Sequence, residues 1–490
     1  MTTLAESLNP SSSEQTLEKI ERSAIDASAR LPVLLFFGTA IFWLLIGSLL
    51  ALVASFKMSI PGFLDNEAWL TFGRVRPAHM NTVIYGWASA AGIGVGLWLM
   101  ARLCRVAMMH TSLLIVAAIF WNLGVLVGTL GILAGDSRSI EWLEFPGYST
   151  PILFIAYAFI GIWGIIMFRF RRPGHVYVSQ WYLLAAFLWF PWLYGTVNIL
   201  LIWQPILGSA QGAVNWWYAH NVLGLWFTPI GLASAYYMIP KVIGRPIHSY
   251  YLSILGFWSL ALFYSWNGMH HLIGGPFPAW MISASVVASI MMFIPVITVA
   301  INHHMTMKGH FDGLKWSPTL RFTVFGAMSY TVVSFQGSLM AIPTLNQITH
   351  FTHYTIGHSH LGLYAFFTMM MFGAMYYITP RLVGWEWPSA NLIRWHFWLA
   401  AIGILVMVGA LTLGGIIQGL ALYDPAVNFM NSMHFASPFL WVRSISGLLL
   451  TAAHVIFAVH FVMMLLQMGV KRGEPTLFAR PVLEEETLSV

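Results

Sequence analysis

Apolar runs of about 20 residues recur along this chain, each long enough to carry a helix across the hydrocarbon core of a bilayer. They fall at 32–54, 78–101, 109–134, 151–168, 178–203, 212–240, 251–272, 281–303, 320–344, 357–380, 394–420 and 443–468. The backbone of such a run must satisfy its own hydrogen bonds in lipid, so the expected fold is an all-α integral membrane bundle of twelve transmembrane helices. A composition of 58% hydrophobic and 8% charged residues over 490 positions agrees with that class.

Orientation follows from the cationic residues, which are retained on the cytoplasmic side. If the runs alternate in direction, only Lys57, Arg74, Arg76, Arg138 and Arg443 of the 23 Lys and Arg fall on one side. Both termini are therefore expected in the cytoplasm, and the net charge of +6 reflects topology, with no nucleic acid as partner. Residues 32–468 read as one twelve-helix domain between cytoplasmic segments 1–31 and 469–490, with no linker or internal repeat. The polar, acid-containing first 30 residues do not resemble a cleavable signal, so the first span is expected to be retained. Cys104 is the only cysteine, which excludes an intrachain disulfide, a thiolate-held iron–sulfur cluster and covalent haem attachment through Cys-x-x-Cys-His.

Six histidines on these runs fall towards one face of the membrane. With the N-terminus inside, His79 opens the second helix at the outer face, His358 and His360 open the tenth there, and His270 and His271 close the seventh there. His220 lies some eight residues into the sixth, roughly 12 Å deeper at ~1.5 Å per residue. Ionisable side chains are costly inside a bilayer, so their gathering in one layer marks a functional site. All seventeen Asp and Glu lie in termini or loops. Neutral imidazoles without membrane carboxylates suit copper and haem iron, and disfavour calcium, magnesium or a carboxylate-bound diiron centre.

The spacings refine this. His358 and His360 point about 200° apart on a helix, so one helix offers a ligand to each of two metals. His270 and His271 diverge by about 100° on a regular helix, and with His220 they form a three-imidazole site with positions open for substrate, as in catalytic copper or zinc. Taken singly, each pair reads as interfacial; the joint pattern points to ligands. Tyr264, six residues before His270, is either a packing aromatic or a proton and electron donor to a bound oxidant. His303 and His304 end the eighth run at the opposite face and read as interfacial. His396, His434 in the loop before the last run, His454 and His460 carry no motif.

Gly-Arg-Val-Arg-Pro-Ala-His at 73–79, Trp-Tyr-Ala-His-Asn at 217–221, Tyr-Ser-Trp-Asn-Gly-Met-His-His at 264–271 and Tyr-Thr-Ile-Gly-His-Ser-His at 354–360 resemble the catalytic subunit of haem-copper oxygen reductases. The resemblance runs from about residue 70 to 465 and is to the C family, the cbb₃-type cytochrome c oxidases. It implies His79 and His360 as axial ligands of a low-spin haem b, and His358 as proximal ligand of a high-spin haem b₃. His220, His270 and His271 would hold copper (Cu B), and Tyr264 would be the active-site tyrosine, cross-linked to His220. Arg443 would serve the haem propionates, with Arg74, Arg76, Trp216 and His350 as further members of that layer. Tyr236, Ser253, Thr306 and Tyr330 would form a proton path from the cytoplasm.

The activity so implied is proton-pumping reduction of O₂ to water in the bacterial cytoplasmic membrane. Electrons would come from a soluble or membrane cytochrome c through cytochrome c-containing membrane subunits. Nitric oxide reductase, on the same scaffold, is the alternative, but its non-haem iron calls for a membrane glutamate that this chain lacks. A twelve-helix transporter would place its site at the midplane, away from this histidine layer. Two departures stand out. Gln336 and Ser338 replace the Glu and Pro of the usual Phe-Glu-Gly-Pro, which removes a charge-assisted acceptor beside the haem b₃ ligand, and His353 stands where an Asp is common.

Overall fold

The computed structural model describes residues 12–471, and among them there is no strand. Twelve helices occupy the twelve apolar runs: α1 Ser12–Ser59, α2 Phe72–Cys104, α3 Thr111–Ala134, α4 Thr150–Arg169, α5 Val178–Trp203, α6 Ala210–Ile243, α7 Tyr250–Tyr264, α8 Ala279–Met307, α9 Pro318–Met340, α10 His353–Val383, α11 Ala390–Tyr423 and α12 Phe429–Leu465. Ten of them are long and apolar enough to cross a membrane; α7, at 15 residues, and the more polar α9 fall outside that set.

Burial separates the helices into centre and rim. The most apolar stretches of α2, α6 and α10 are 94%, 89% and 83% buried, against at most 56% in the other seven spans. A helix apolar all round is expected at the centre of a bundle, and these three carry His79, His220, His358 and His360. Side-chain caps start several helices: Ser249 accepts from the Leu252 N–H, Ser317 from Leu320, Ser389 from Leu392 and Asn428 from Asn431. Left-handed glycines, Gly244 and Gly384, end α6 and α10.

Four stretches widen into π-helical turns: Thr82–Ser89 in α2, Ile199–Trp203 in α5, Leu223–Phe227 in α6 and Leu361–Thr368 in α10. Three of the four begin within three residues of His79, His220 or His360. Single π turns inside α-helices recur at functional sites.

Two sequence expectations are corrected. The seventh helix does not run to 272: it stops at Tyr264 and the chain continues as a 3₁₀ turn, Asn267–Leu272, so the regular-helix divergence of His270 and His271 does not apply. The last helix starts at Phe429, which places His434 inside it and Arg443 well within it. The first helix, α1, begins at Ser12, so the polar segment before residue 32 is helical from there on. That polar extension is held by charge: Glu21 pairs with Arg105 at 2.9 Å and Arg172 at 2.7 Å, and Asp26 with Arg102 at 3.4 Å. The tail from 472 on lies outside the described residues.

Candidate active site

The ligand atoms of His220, His270 and His271 all lie within 4.8 Å of one another, the one such cluster of metal-ligand groups among the described residues. Its geometry comes from the 3₁₀ turn, which lays the two adjacent imidazoles over the middle of α6. Ring centroids are 5.0 Å apart for His220–His270, 5.4 Å for His220–His271 and 4.4 Å for His270–His271. Gly268 permits this approach, since a Cβ there would collide with the Trp216 backbone. Trp216 in turn stacks on His271 at 4.1 Å.

Four of the six histidines have Nδ1 engaged. His79 Nδ1 is 2.9 Å from the Gly47 carbonyl, His360 Nδ1 2.8 Å from that of Ile356, His270 Nδ1 2.9 Å from Ser289 Oγ and His358 Nδ1 3.2 Å from Gln336 Oε1. A ring that donates through Nδ1 keeps Nε2 as an unprotonated donor, the tautomer a metal ligand needs. At His220 it is Nδ1 that is buried without a partner. This donor set fits iron and copper.

All six rings line one apolar cavity of about 330 Å³ reaching from α1 and α2 to the turn at 267–272. Arg76, Trp216, His350 and Arg443 line it as well, whereas Arg74 donates to the Leu133 carbonyl and is absent from the wall. Tyr264 lines it beside His220, ring centroids 4.6 Å apart. Gly224 makes room, as a Cβ there would overlap the Tyr264 ring.

Gln336 still offers His358 an acceptor, its neutral amide oxygen standing in place of the charged one whose loss the sequence implies. His353 bonds Gln418 at 2.7 Å. Of the proton-path candidates, Tyr236 and Tyr330 are fully buried, their hydroxyls facing the side chains of Asn302 and Ser334 without a well-aligned hydrogen bond, while the Ser253 and Thr306 hydroxyls donate to the carbonyls of Tyr250 and Asn302. His303 is packed inside the bundle, 7% exposed, with its ring 4.7 Å from Tyr236.

Sequence reasoning missed several neighbours. Glu144, in the loop after α3, is buried and accepts from the Asn81 side chain at 2.8 Å, so a carboxylate meets the residue two positions past His79 after all. Burial pushes its carboxyl up to about 7, against the lowering effect of Asn81. Glu141 joins the cavity wall. His454 on α12 is bonded by Ser48 and by Tyr364, both at 2.7 Å. The spacing of Ser285 and Ser289, one turn apart, was the available signal for the support of His270, whose N–H and Nδ1 they bond.

The fold of this helical bundle is shared by a solved structure. The chain superposes on one from a cryo-EM structure of a haem-copper terminal oxidase dimer with TM-score 0.71 at 14% identity, covering 94% of this chain and 86% of that one. The chain belongs to the cytochrome c and quinol oxidase polypeptide I family, whose model matches residues 31–449. It is 32% identical over 435 residues to a cbb₃-type cytochrome c oxidase subunit of Stutzerimonas stutzeri, covering 85% of this chain and 91% of the relative. A nitric oxide reductase chain of the same organism is more distant, 25% identical over 452 residues, 85% of this chain and 89% of that one. The protein is thus a multi-pass subunit of a respiratory oxidase family in which haem and copper are expected.

Proposed function

We propose that this chain is the catalytic subunit of a cbb₃-type cytochrome c oxidase that reduces O₂ to water and moves protons across a bacterial cytoplasmic membrane. The observation that carries the reading is the single cavity into which all six histidines face, three of them converging beside Tyr264. His79 and His360 would hold a low-spin haem b, His358 a high-spin haem b₃, and His220, His270 and His271 copper. Those groups, when bound, supply the electron storage and oxygen chemistry. The protein's part is to fix imidazoles through their Nδ1 partners and to hold the Tyr264 hydroxyl where it can deliver a proton and an electron. Arg443 and Arg76 would neutralise the propionates, a task suited to guanidinium forks. Cytochrome c-bearing membrane subunits would pass electrons from the face nearest the cavity, with both termini on the other.

No carboxylate joins the three imidazoles among the described residues, which favours copper over the non-haem iron of nitric oxide reductase. The test is metal and haem analysis of the purified complex together with O₂ uptake on reduced cytochrome c. Two haems b and one copper per copy of this chain, with oxidase turnover, support the reading. A second iron in place of copper, with nitric oxide consumed in preference to O₂, overturns it.

A further inference from the structure

We propose that His303 is a proton-relay residue, passing protons from the Lys- and Arg-rich face of the bundle towards Tyr236 and on to Tyr264. This rests on the oxidase reading above and adds to it a residue that the hydroxyl line Tyr236, Ser253, Thr306 and Tyr330 does not contain.

Most polar atoms where α7 meets the end of α8 are committed to structural hydrogen bonds. The Thr306 hydroxyl donates to the Asn302 carbonyl at 2.6 Å and accepts from the His248 N–H at 3.0 Å. The Asn302 side chain is spent on Ser249, accepting from its N–H at 2.9 Å and donating to its carbonyl at 2.8 Å. Ser253 donates to the Tyr250 carbonyl at 2.6 Å. These groups hold the entry of α7 against the end of α8, and their protons are engaged there. Less committed polar atoms lie one layer deeper: the Tyr182 hydroxyl and Nε2 of His303 are buried without hydrogen-bond partners, and the Tyr236 and Tyr330 hydroxyls, which make no well-aligned hydrogen bond, face the side chains of Asn302 and Ser334. They neighbour one another, with Tyr182 stacked on Tyr236 at 6.0 Å and the His303 ring 4.7 Å from Tyr236. Buried polar atoms are paired in native proteins, and a group of them with no protein partner is satisfied by water.

Among the four, His303 alone is an imidazole, which accepts a proton at one nitrogen and gives one up from the other. The helices packed against α8 are α7, α9 and α6. Their titratable or charged groups are Tyr250, Tyr251 and Tyr264 on α7, Arg321 and Tyr330 on α9, and Tyr218, His220, Tyr236, Tyr237 and Lys241 on α6; on and just past its own helix stand His304 and Lys308. Only Tyr236 is in ring contact with His303. In the relay step an N–H bond forms at Nε2 as an O–H bond of water on the basic side breaks. The other nitrogen returns a proton to water beside the Tyr236 hydroxyl, leaving the ring neutral. His303 lies fourteen residues from Ser289, the partner of His270, which is ~21 Å along α8 and on the far side from the cavity.

The test uses the complete oxidase complex in vesicles, with proton uptake followed by a pH dye and turnover by O₂ consumption in H₂O and D₂O. His303→Phe keeps a ring against Tyr236. It should slow turnover and uptake by about tenfold or more, less than the ~10²–10⁴ of a group acting at the reacting centre, and enlarge the solvent isotope effect. Haem spectra and electron entry from cytochrome c should stay unchanged. His303→Gln, which keeps polar contacts without passing a proton through, should be equally slow. His304→Phe, on an exposed neighbour, should match the wild type. Wild-type turnover in His303→Phe while Tyr236→Phe is slow overturns the role of His303 alone; wild-type turnover in both overturns the path itself. Recovery in His303→Gln makes the side chain structural and also overturns the relay.

Discussion

Gly224→Ala tests whether the place of Tyr264, and not only its chemistry, sets the reaction rate. Position 224 is in the π turn that follows His220, and a Cβ there would fall within 3.0 Å of three carbons of the Tyr264 ring. Carbon atoms settle at about 3.5–4.0 Å, so the ring must retreat by an ångström or more. It is boxed in by His220, at 4.6 Å between ring centroids, and its retreat draws the hydroxyl away from the three imidazoles. A misplacement of ~1 Å in a reacting group costs on the order of 10²-fold in rate. Overpacking at such a contact costs ~1–3 kcal/mol of stability, small enough for the bundle still to assemble. The expected outcome is a complex with normal haem spectra and copper content and about a hundredfold slower O₂ reduction. The peptides containing residues 220 and 264 should no longer be joined when mapped by mass. Full turnover together with a normal 220–264 linkage would refute the reasoning, because it would mean that the ring does not need the space that Gly224 leaves.

His79→Ala and His360→Ala should each remove the low-spin haem b signal while His358→Ala removes the high-spin one, read from reduced-minus-oxidised spectra; a normal low-spin spectrum in His360→Ala counts against the ligand scheme. His220→Ala, His270→Ala and His271→Ala should lower copper content with the low-spin haem intact, whereas Tyr264→Phe should keep both haems and copper and lose nearly all O₂ turnover. Glu144 has its carboxyl raised from 4.5 to about 7 by burial, so the folded protein holds that proton more tightly than the unfolded chain does. Its stabilising contribution is whole below pH 4.5 and is lost as pH rises through 7. Relative to Glu144→Gln, the wild type should therefore lose on the order of 3 kcal/mol across that window, at ~1.4 kcal/mol per pH unit. Parallel thermal midpoints for the two proteins from pH 4 to 8 would contradict the assignment.

The gathering of the six histidines was legible because an imidazole in an apolar run has few innocent explanations, and helical geometry separates His358 from His360 without any knowledge of their neighbours. What stayed hidden depends on contacts between distant parts of the chain. Asn81 and Glu144 are 63 residues apart, and nothing in either run predicts that a loop carboxylate turns inward to meet α2. The stop of α7 at Tyr264 was obscured because Trp266, Met269 and Leu272 sustain the apolar pattern through a stretch that is wound as 3₁₀. The contact of His303 with Tyr236 was not legible because sequence gives a residue's depth along a helix but not which neighbour it faces. The start of α12 was missed because Asn428, Asn431 and Ser432 look like loop; the first of them is a cap.

The π turns bear on how such a bundle can be adjusted over generations. A π turn is an α-helix with one residue too many, and one residue is worth about 100° of rotation. Downstream of Thr82–Ser89, Leu223–Phe227 and Leu361–Thr368, every side chain is therefore turned away from the azimuth that an uninterrupted helix would give it. Each of the three central helices behaves as two rods joined by a swivel. One rod aims an imidazole at the cavity, and the other is free to satisfy the packing of the opposite half of the membrane. A single-residue insertion or deletion, ruinous in most buried helices, would here act as a dial that re-aims one half while leaving the other in register.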